Sequence, residues 1–330
     1  MTASRKLGKP RLTIVGSGDV GRRCVAQLAT RFRVMAVTRG VENHAALRAL
    51  GAVPMRADLD RPRTLARLAG LAPRVLHLAP PPGQGAGDPR TAALLAALSR
   101  VRRGARSPRW RSPGNILTER WWPPRRFAVP DAARPTQLIY VSTTGVYGDC
   151  GGALVSETRT PRPANARARR RVVAEGLLRR AGRRGSVRTT LIRVPGIYAG
   201  DRLPIARLMR GTPALLAADD VFTAHIHADD LARILIAALR RGQPQRIVHA
   251  VDDTRMKMAD YFDCVADAQA LPRPPRVSRA QAERVLEPTL LSFMRESRQL
   301  DNRRLKQELK VRLRYPTVDD FLASLPPPRR

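Results

Sequence analysis

Three short stretches of this 330-residue chain carry the side chains best suited to chemistry. In "RLTIVGSGDVGRRCVAQLATR", Gly16, Gly18 and Gly21 have the spacing G-x-G-x-x-G. Gly16 permits a tight turn, Gly18 lets the backbone approach a pyrophosphate, and Gly21 allows close helix–strand packing. Amides at the start of the following helix face the phosphates. An ordinary strand-to-helix turn can share this pattern, but its placement argues for dinucleotide binding. A strand precedes it, a helix follows, and "FRVMAVTRG" supplies the second strand of a βαβ unit. In "YVSTTGVYG", Thr143 and Tyr147 bring hydroxyls to the end of a strand. In "PRPANARARRRVVAE", Arg167, Arg171 and Glu175 are spaced i, i+4, i+8 and project from nearly one face of a helix. A guanidinium stays charged at working pH, so the two arginines can stabilise negative charge but cannot exchange protons. The plainer alternative is an Arg171–Glu175 ion pair worth about 0.3–0.5 kcal/mol.

The elements that must position these residues alternate along the chain. "HAALRALG" reads as a helix, "AVPMRADL" as a strand, "RPRTLARLAG" as a helix and "RVLHLAPPP" as a strand. "TAALLAALSRV" then reads as a helix and "QLIYVSTTGVYG" as a strand with its exit loop. Such interleaving implies a parallel sheet covered on both faces, with ligands at the carboxyl ends of its strands. Asp58, Ala79, Pro80 and Thr143 stand at such ends. The second strand closes on Thr38 and Arg39, with Glu42 displaced further on. That arrangement favours NADP over NAD, because arginine meets a 2′-phosphate where an acidic residue would hold a 2′-hydroxyl. Residues 100–134, rich in arginine and proline and holding Trp110, Trp121 and Trp122, interrupt the pattern as an insertion.

Composition narrows the class. The formal net charge is +34, carried almost wholly by arginine, since lysine occurs only at Lys6, Lys9, Lys257, Lys306 and Lys310. A basic surface attracts nucleic acid. The skew to arginine and alanine reads instead as coding bias spread over solvated faces, able to hold polyanions loosely. Cys24, Cys150 and Cys264 are isolated, which fits reduced thiols rather than disulfides or a structural zinc site. No apolar run approaches the roughly 20 residues needed to span a bilayer, and no secretory signal is visible. The expected compartment is the cytoplasm. His225, His227, Asp229 and Asp230 form an H-x-H-x-D-D run that reads as a helix start capped by Asp229 or Asp230 rather than a metal site. No metal is expected.

"LTIVGSGDVGRR", "MRADL", "VLHLAPPP", "YVSTTGVYGD", "RVPGIYAGDRLP" and "IHADDLARILIAAL" occur in this order, and over nearly the whole chain the sequence resembles extended and atypical short-chain dehydrogenases/reductases. Among these it is most similar to NAD(P)-dependent epimerase/dehydratases of the nucleoside-diphosphate-sugar type. The resemblance implies an α/β fold: a Rossmann-type doubly wound parallel sheet with a smaller C-terminal α/β substrate-binding region. The expected division is a basic tail over 1–10, a dinucleotide-binding domain over 11–195 containing the 100–134 insertion, and a substrate region over 196–330. About 221–251 would return to the sheet.

The resemblance further implies that Gly16, Gly18, Asp19, Val20 and Gly21 line the cofactor phosphates. Arg39 would lie near the adenosine ribose, and Asp58 with Leu59 near the adenine. Leu78, Ala79 and Pro80 would follow the central ribose, and Pro195 and Gly196 the nicotinamide. Thr143 falls where the family places a catalytic hydroxyl. Arg167 and Arg171 occupy the places of its catalytic tyrosine and lysine, and no lysine between Lys9 and Lys257 could form that motif elsewhere. Arg171 could stand in for the lysine electrostatically, with Tyr147 or Tyr198 supplying a hydroxyl, and Arg202 could meet an anionic substrate. Arg298 and Asn302 would hold the last substrate-domain segment.

Three readings follow. The first is an NAD(P)-dependent oxidoreductase or epimerase/dehydratase acting on a small or nucleotide-linked carbonyl or alcohol. The second is an NAD(P)-binding sensor without turnover. The third is a nucleic-acid-associated protein using its basic surface.

Overall fold

The computed structural model describes residues 8–99 and 135–326. The insertion over 100–134, with the three tryptophans, and most of the basic tail lie outside the described residues. The strands used below are β1 (Arg11–Val15), β2 (Arg33–Thr38), β3 (Val53–Arg56), β4 (Arg74–His77), β5 (Thr136–Thr143) and β6 (Val187–Val194). The short β7 (Gly196–Tyr198) and β8 (His225–His227) follow, then β9 (Arg246–His249). The helices are α1 (Asp19–Leu28), α2 (His44–Ala49), α3 (Pro89–Ser99), α4 (Ala166–Arg183), α5 (Ala228–Arg241) and α6 (Met258–Ala268).

Seven strands form one sheet in the order β9-β6-β5-β4-β1-β2-β3, and every pairing in it is parallel. The central strands are near-continuous apolar runs because helices cover both faces. On one face Cys24, Val25 and Leu28 of α1 pack with Leu231, Ile234 and Leu235 of α5 over Leu12 and Ile14. On the other, Leu94 and Leu98 of α3 meet Ala174 and Leu178 of α4 over Leu138 and Tyr140. The fold is a Rossmann-type doubly wound α/β sheet. Strand order reverses between β1 and β4, and a crevice opens at such a switch point beyond the carboxyl ends. The loops carrying Gly16 and Leu78–Pro80 flank it.

After β6 the chain adds β9 to the sheet edge and builds a separate apolar cluster around Tyr198, Leu208, Phe262, Val265 and Phe321. The helix read in "RPRTLARLAG" is present but of the 3-10 type. It runs over seven residues, Pro62–Leu68, with proline at its start and Gly70 at φ +65° just beyond its end. Proline fixes the backbone where this helix begins, and the positive φ of Gly70 turns the chain away just after it ends.

The start of α5 also corrects an expectation. Its cap is His227, whose Nδ1 accepts the Asp229 amide at 3.2 Å. Asp230, fully buried, instead accepts the amides of Arg314 and Tyr315 at 2.8 and 2.9 Å, while Asp229 pairs with Arg23 of α1. Among the described residues no three His, Cys, Asp or Glu side chains converge as a metal site, and no helix is long and apolar enough to cross a membrane.

Candidate functional site

Two cavities open beyond the carboxyl ends of the central strands and share Pro80 as a common wall. The first, about 460 Å³, is lined by Gly16, Gly18, Asp19, Val20 and Gly21, by Thr38 and Arg39, by Asp58 and Leu59, and by Leu78 and Ala79. Its glycines have physical reasons to be there. Gly16 adopts φ +99°, and a Cβ on it would stand 2.6 Å from the Ala79 amide nitrogen. A Cβ on Gly21 would meet the Gly16 carbonyl at 2.5 Å, so α1 can approach the turn only without a side chain. Gly18 has open space where its Cβ would be, and as N-cap of α1 it provides no side-chain cap. The first amides of α1 therefore remain available to an incoming anion. These features fit the diphosphate bridge of a dinucleotide.

Asp19 is the discordant charge in this cradle. Its Oδ1 accepts from Arg23 Nε at 2.9 Å, and its Oδ2 lies 3.3 Å from Arg202 Nε. Arg202, expected to meet an anionic substrate, lines this first cavity. At the far end Asn43 joins Arg39, and Arg90 closes the floor. Arg90 donates two hydrogen bonds to Asp60, at 2.7 and 2.6 Å, and reaches the Pro80 carbonyl at 3.1 Å. That pair holds the Asp60 carboxyl below its ordinary range. Neither Asn43 nor Arg90 carries a local sequence signal, because each arrives from the helix after a strand rather than from the strand end.

The second cavity, about 440 Å³, lies between the loop Pro80–Gly83, the end of β5 and the first turns of α4. Thr143, Arg171, Pro195 and Gly196 line it, together with Arg167, Arg170, Asn165, Phe293, Glu296 and Arg298. Asn165 caps α4, accepting the Ala168 amide at 2.9 Å, and so sets the height at which the arginines enter. Thr143 Oγ1 accepts the Gly145 amide at 3.2 Å, which leaves its own hydrogen free to donate. Arg171 Nη1 donates to the Val141 carbonyl at 2.6 Å and to the Tyr140 hydroxyl at 3.0 Å. Its guanidinium lies 5.6 Å from the Tyr140 ring centre. Arg298 Nη1 donates to Glu296 and to the Gly148 carbonyl, while Asn302 ties the loop after β9 by donating to the Val251 and Asp252 carbonyls.

The two tyrosines considered as substitutes are turned away. Tyr147 is buried beneath the cleft, where its hydroxyl accepts from Arg193 at 2.7 Å and donates to His249 Nε2 at 2.5 Å. Burial first, against the opposing charge of Arg193, pushes that hydroxyl up to about 12. Tyr198 points into the C-terminal cluster, with its hydroxyl 3.4 Å from the Thr317 carbonyl, and burial raises its pKa as well. A motif position fixes where a Cα lies, not where the side chain aims. The chain has five tyrosines and none lines either cavity. The Arg171–Glu175 pair does not form either. Glu175 accepts two bonds from Arg193, at 3.0 and 2.7 Å, and one from Ser142 at 2.6 Å.

No protein-family model and no curated protein sequence matches the chain. Solved structures do. A conserved protein of unknown function from Silicibacter pomeroyi is 27% identical, the match covering 96% of this chain and 99% of that one at a TM-score of 0.73. A dTDP-glucose 4,6-dehydratase from Streptomyces venezuelae, solved as a double mutant with NAD, is 17% identical over 94% of both chains at 0.69. A UDP-glucuronic acid 4-epimerase from Bacillus cereus, in complex with NAD, is 14% identical over 94% of this chain and 96% of that one at 0.66. With its strand order and glycine turn, the chain thus has the fold of the NAD-dependent epimerases and dehydratases whose solved structures it matches.

Proposed function

We propose that the protein binds NADP, or less tightly NAD, in the glycine-lined cavity and acts there as an oxidoreductase or epimerase/dehydratase on a small or nucleotide-linked carbonyl or alcohol. The observation that carries this reading is the intact cradle, in which side chains at Gly16 and Gly21 would collide with backbone while Gly18 opens onto space. Arg39 and Asn43 at the adenosine end, with no acidic side chain closing β2, support the phosphorylated cofactor. A bound nicotinamide supplies hydride transfer. Thr143 donates its hydroxyl hydrogen to the substrate oxygen. Arg171, held in place by Val141 and Tyr140, supplies fixed positive charge as that oxygen becomes negative.

A second reading, a cofactor-binding sensor without turnover, is favoured by one observation. Among the described residues, no tyrosine, histidine, cysteine or lysine lines either cavity, and the one carboxylate of the second cavity, Glu296, is held by Arg298 and Asn165. Fluorescence titration with NADPH and NADH, followed by turnover on nucleotide-linked sugars and small carbonyls, separates the two. Saturable binding with measurable nicotinamide turnover supports the enzyme. Saturable binding with none on any compound supports the sensor, and no binding of either coenzyme overturns both.

A further inference from the structure

The second cavity presents four guanidiniums, from Arg167, Arg170, Arg171 and Arg298, against the single carboxylate of Glu296. That carboxylate is already engaged, accepting from Arg298 at 2.8 Å and from Asn165 at 3.1 Å. Arg170, nearly buried, donates to the Gly85 carbonyl at 3.1 Å. Arg171 uses Nη1 on Val141 and Tyr140, which fixes the plane of its guanidinium. Arg167 rests with its guanidinium 4.6 Å from the Phe293 ring centre. Neither Arg167 nor Arg171 forms an ion pair with any carboxylate among the described residues.

We propose that Arg167 and Arg171 together grip a carboxylate borne by the substrate, so that the cleft selects a sugar acid, free or nucleotide-linked, over its neutral counterpart. The proposal rests on reading this cavity as the substrate site. One helical turn separates the two arginines, so their forks reach one small anion from adjacent positions. A carboxylate presents two oxygens in a plane that matches a guanidinium, and neither a hydroxyl nor a carbonyl does so. Four cations gathered with one occupied acid also repel each other, and an entering anion relieves that repulsion. The side chains that replace a proton-transfer pair thereby become a recognition pair.

Calorimetry on the full-length protein tests this with two matched pairs, glucuronate against glucose and UDP-glucuronate against UDP-glucose, each with and without NADP. The acid of each pair is expected to bind about tenfold more tightly or better. Arg167→Gln should abolish the difference, and Arg167→Lys should restore only part of it. Arg48→Gln, which removes the same charge at a remote exposed position, should leave it intact. Equal affinity within both pairs, no binding of either acid, or a preference surviving Arg167→Gln overturns the proposal. A preference for nucleotide over free sugar with no effect of the carboxylate also overturns it, assigning the arginines to phosphates. Failure of NADP to bind while the acid preference persists would sink the dinucleotide reading alone.

Discussion

Gly16 shows how much one missing side chain decides. A methyl group there would collide with the Ala79 backbone and would also force a side chain onto φ +99°. Gly16→Ala is expected to abolish coenzyme binding in a fluorescence titration and to cost about 1–3 kcal/mol of stability from backbone strain. Tyr147 makes the opposite case. Its hydroxyl satisfies Arg193 and His249, so Tyr147→Phe should lower stability by about 1–3 kcal/mol. Nicotinamide turnover per folded molecule should stay unchanged, and a loss of turnover without a loss of stability would return Tyr147 to catalysis. The glycine spacing was legible in the sequence because backbone geometry alone dictates it. The aim of Tyr147 was not, since it depends on where Arg193 and His249 come to rest, 46 and 102 positions away.

The seam between β5, α4 and β6 holds the arginine helix in register. Arg193, at the heart of that seam and 2% exposed, binds Glu175 with two hydrogen bonds, and Glu175 reaches Ser142 next to Thr143. Burial would drive the guanidinium towards neutrality, but Glu175 and Tyr147 together more than offset it and the Arg193 pKa rises. Removing one partner strands a buried charge. Glu175→Ala is therefore expected to cost about 3–5 kcal/mol in denaturant unfolding and, in protein that remains folded, to loosen substrate binding more than coenzyme binding. Alternating strands and helices were readable because the central strands are buried on both faces and carry unbroken apolar runs. Phe293, Glu296 and Arg298 were not readable as cleft lining. They lie 110 to 115 positions beyond the end of α4 in the chain and meet it through folding, with no periodic pattern to announce the contact.

Across the whole protein, buried histidines weaken the fold in acid, opposed in part by Asp252, whose carboxyl burial pushes up to about 8. His77 is pushed down to about 3, His225 to about 4 and His249 to about 4, each first by burial, with nearby arginine charge adding at His77 and His249. Folded pKa values below the unfolded value mean that the unfolded chain takes up protons first. The stability these three contribute is complete above about pH 6.5 and is lost as pH falls towards 4 and below. Thermal melts should be nearly level in this contribution from pH 7 to 8 and fall steeply between pH 6 and 4; a level profile down to pH 4 would refute it. The charge of +34 acts differently, because it is carried mainly by arginines, which stay charged at every working pH. Nucleic acid held by such a surface should be released by moderate salt. One last feature bears on how any guest would lie. Pro80, Pro81 and Pro82 bring no N–H to the cleft, and the first two carbonyls already receive Arg90. That side is nearly mute in hydrogen bonding, whereas the opposite side bristles with donors. A molecule entering the gap finds its hydrogen-bond donors on the arginine-bearing side, so its oxygens turn that way.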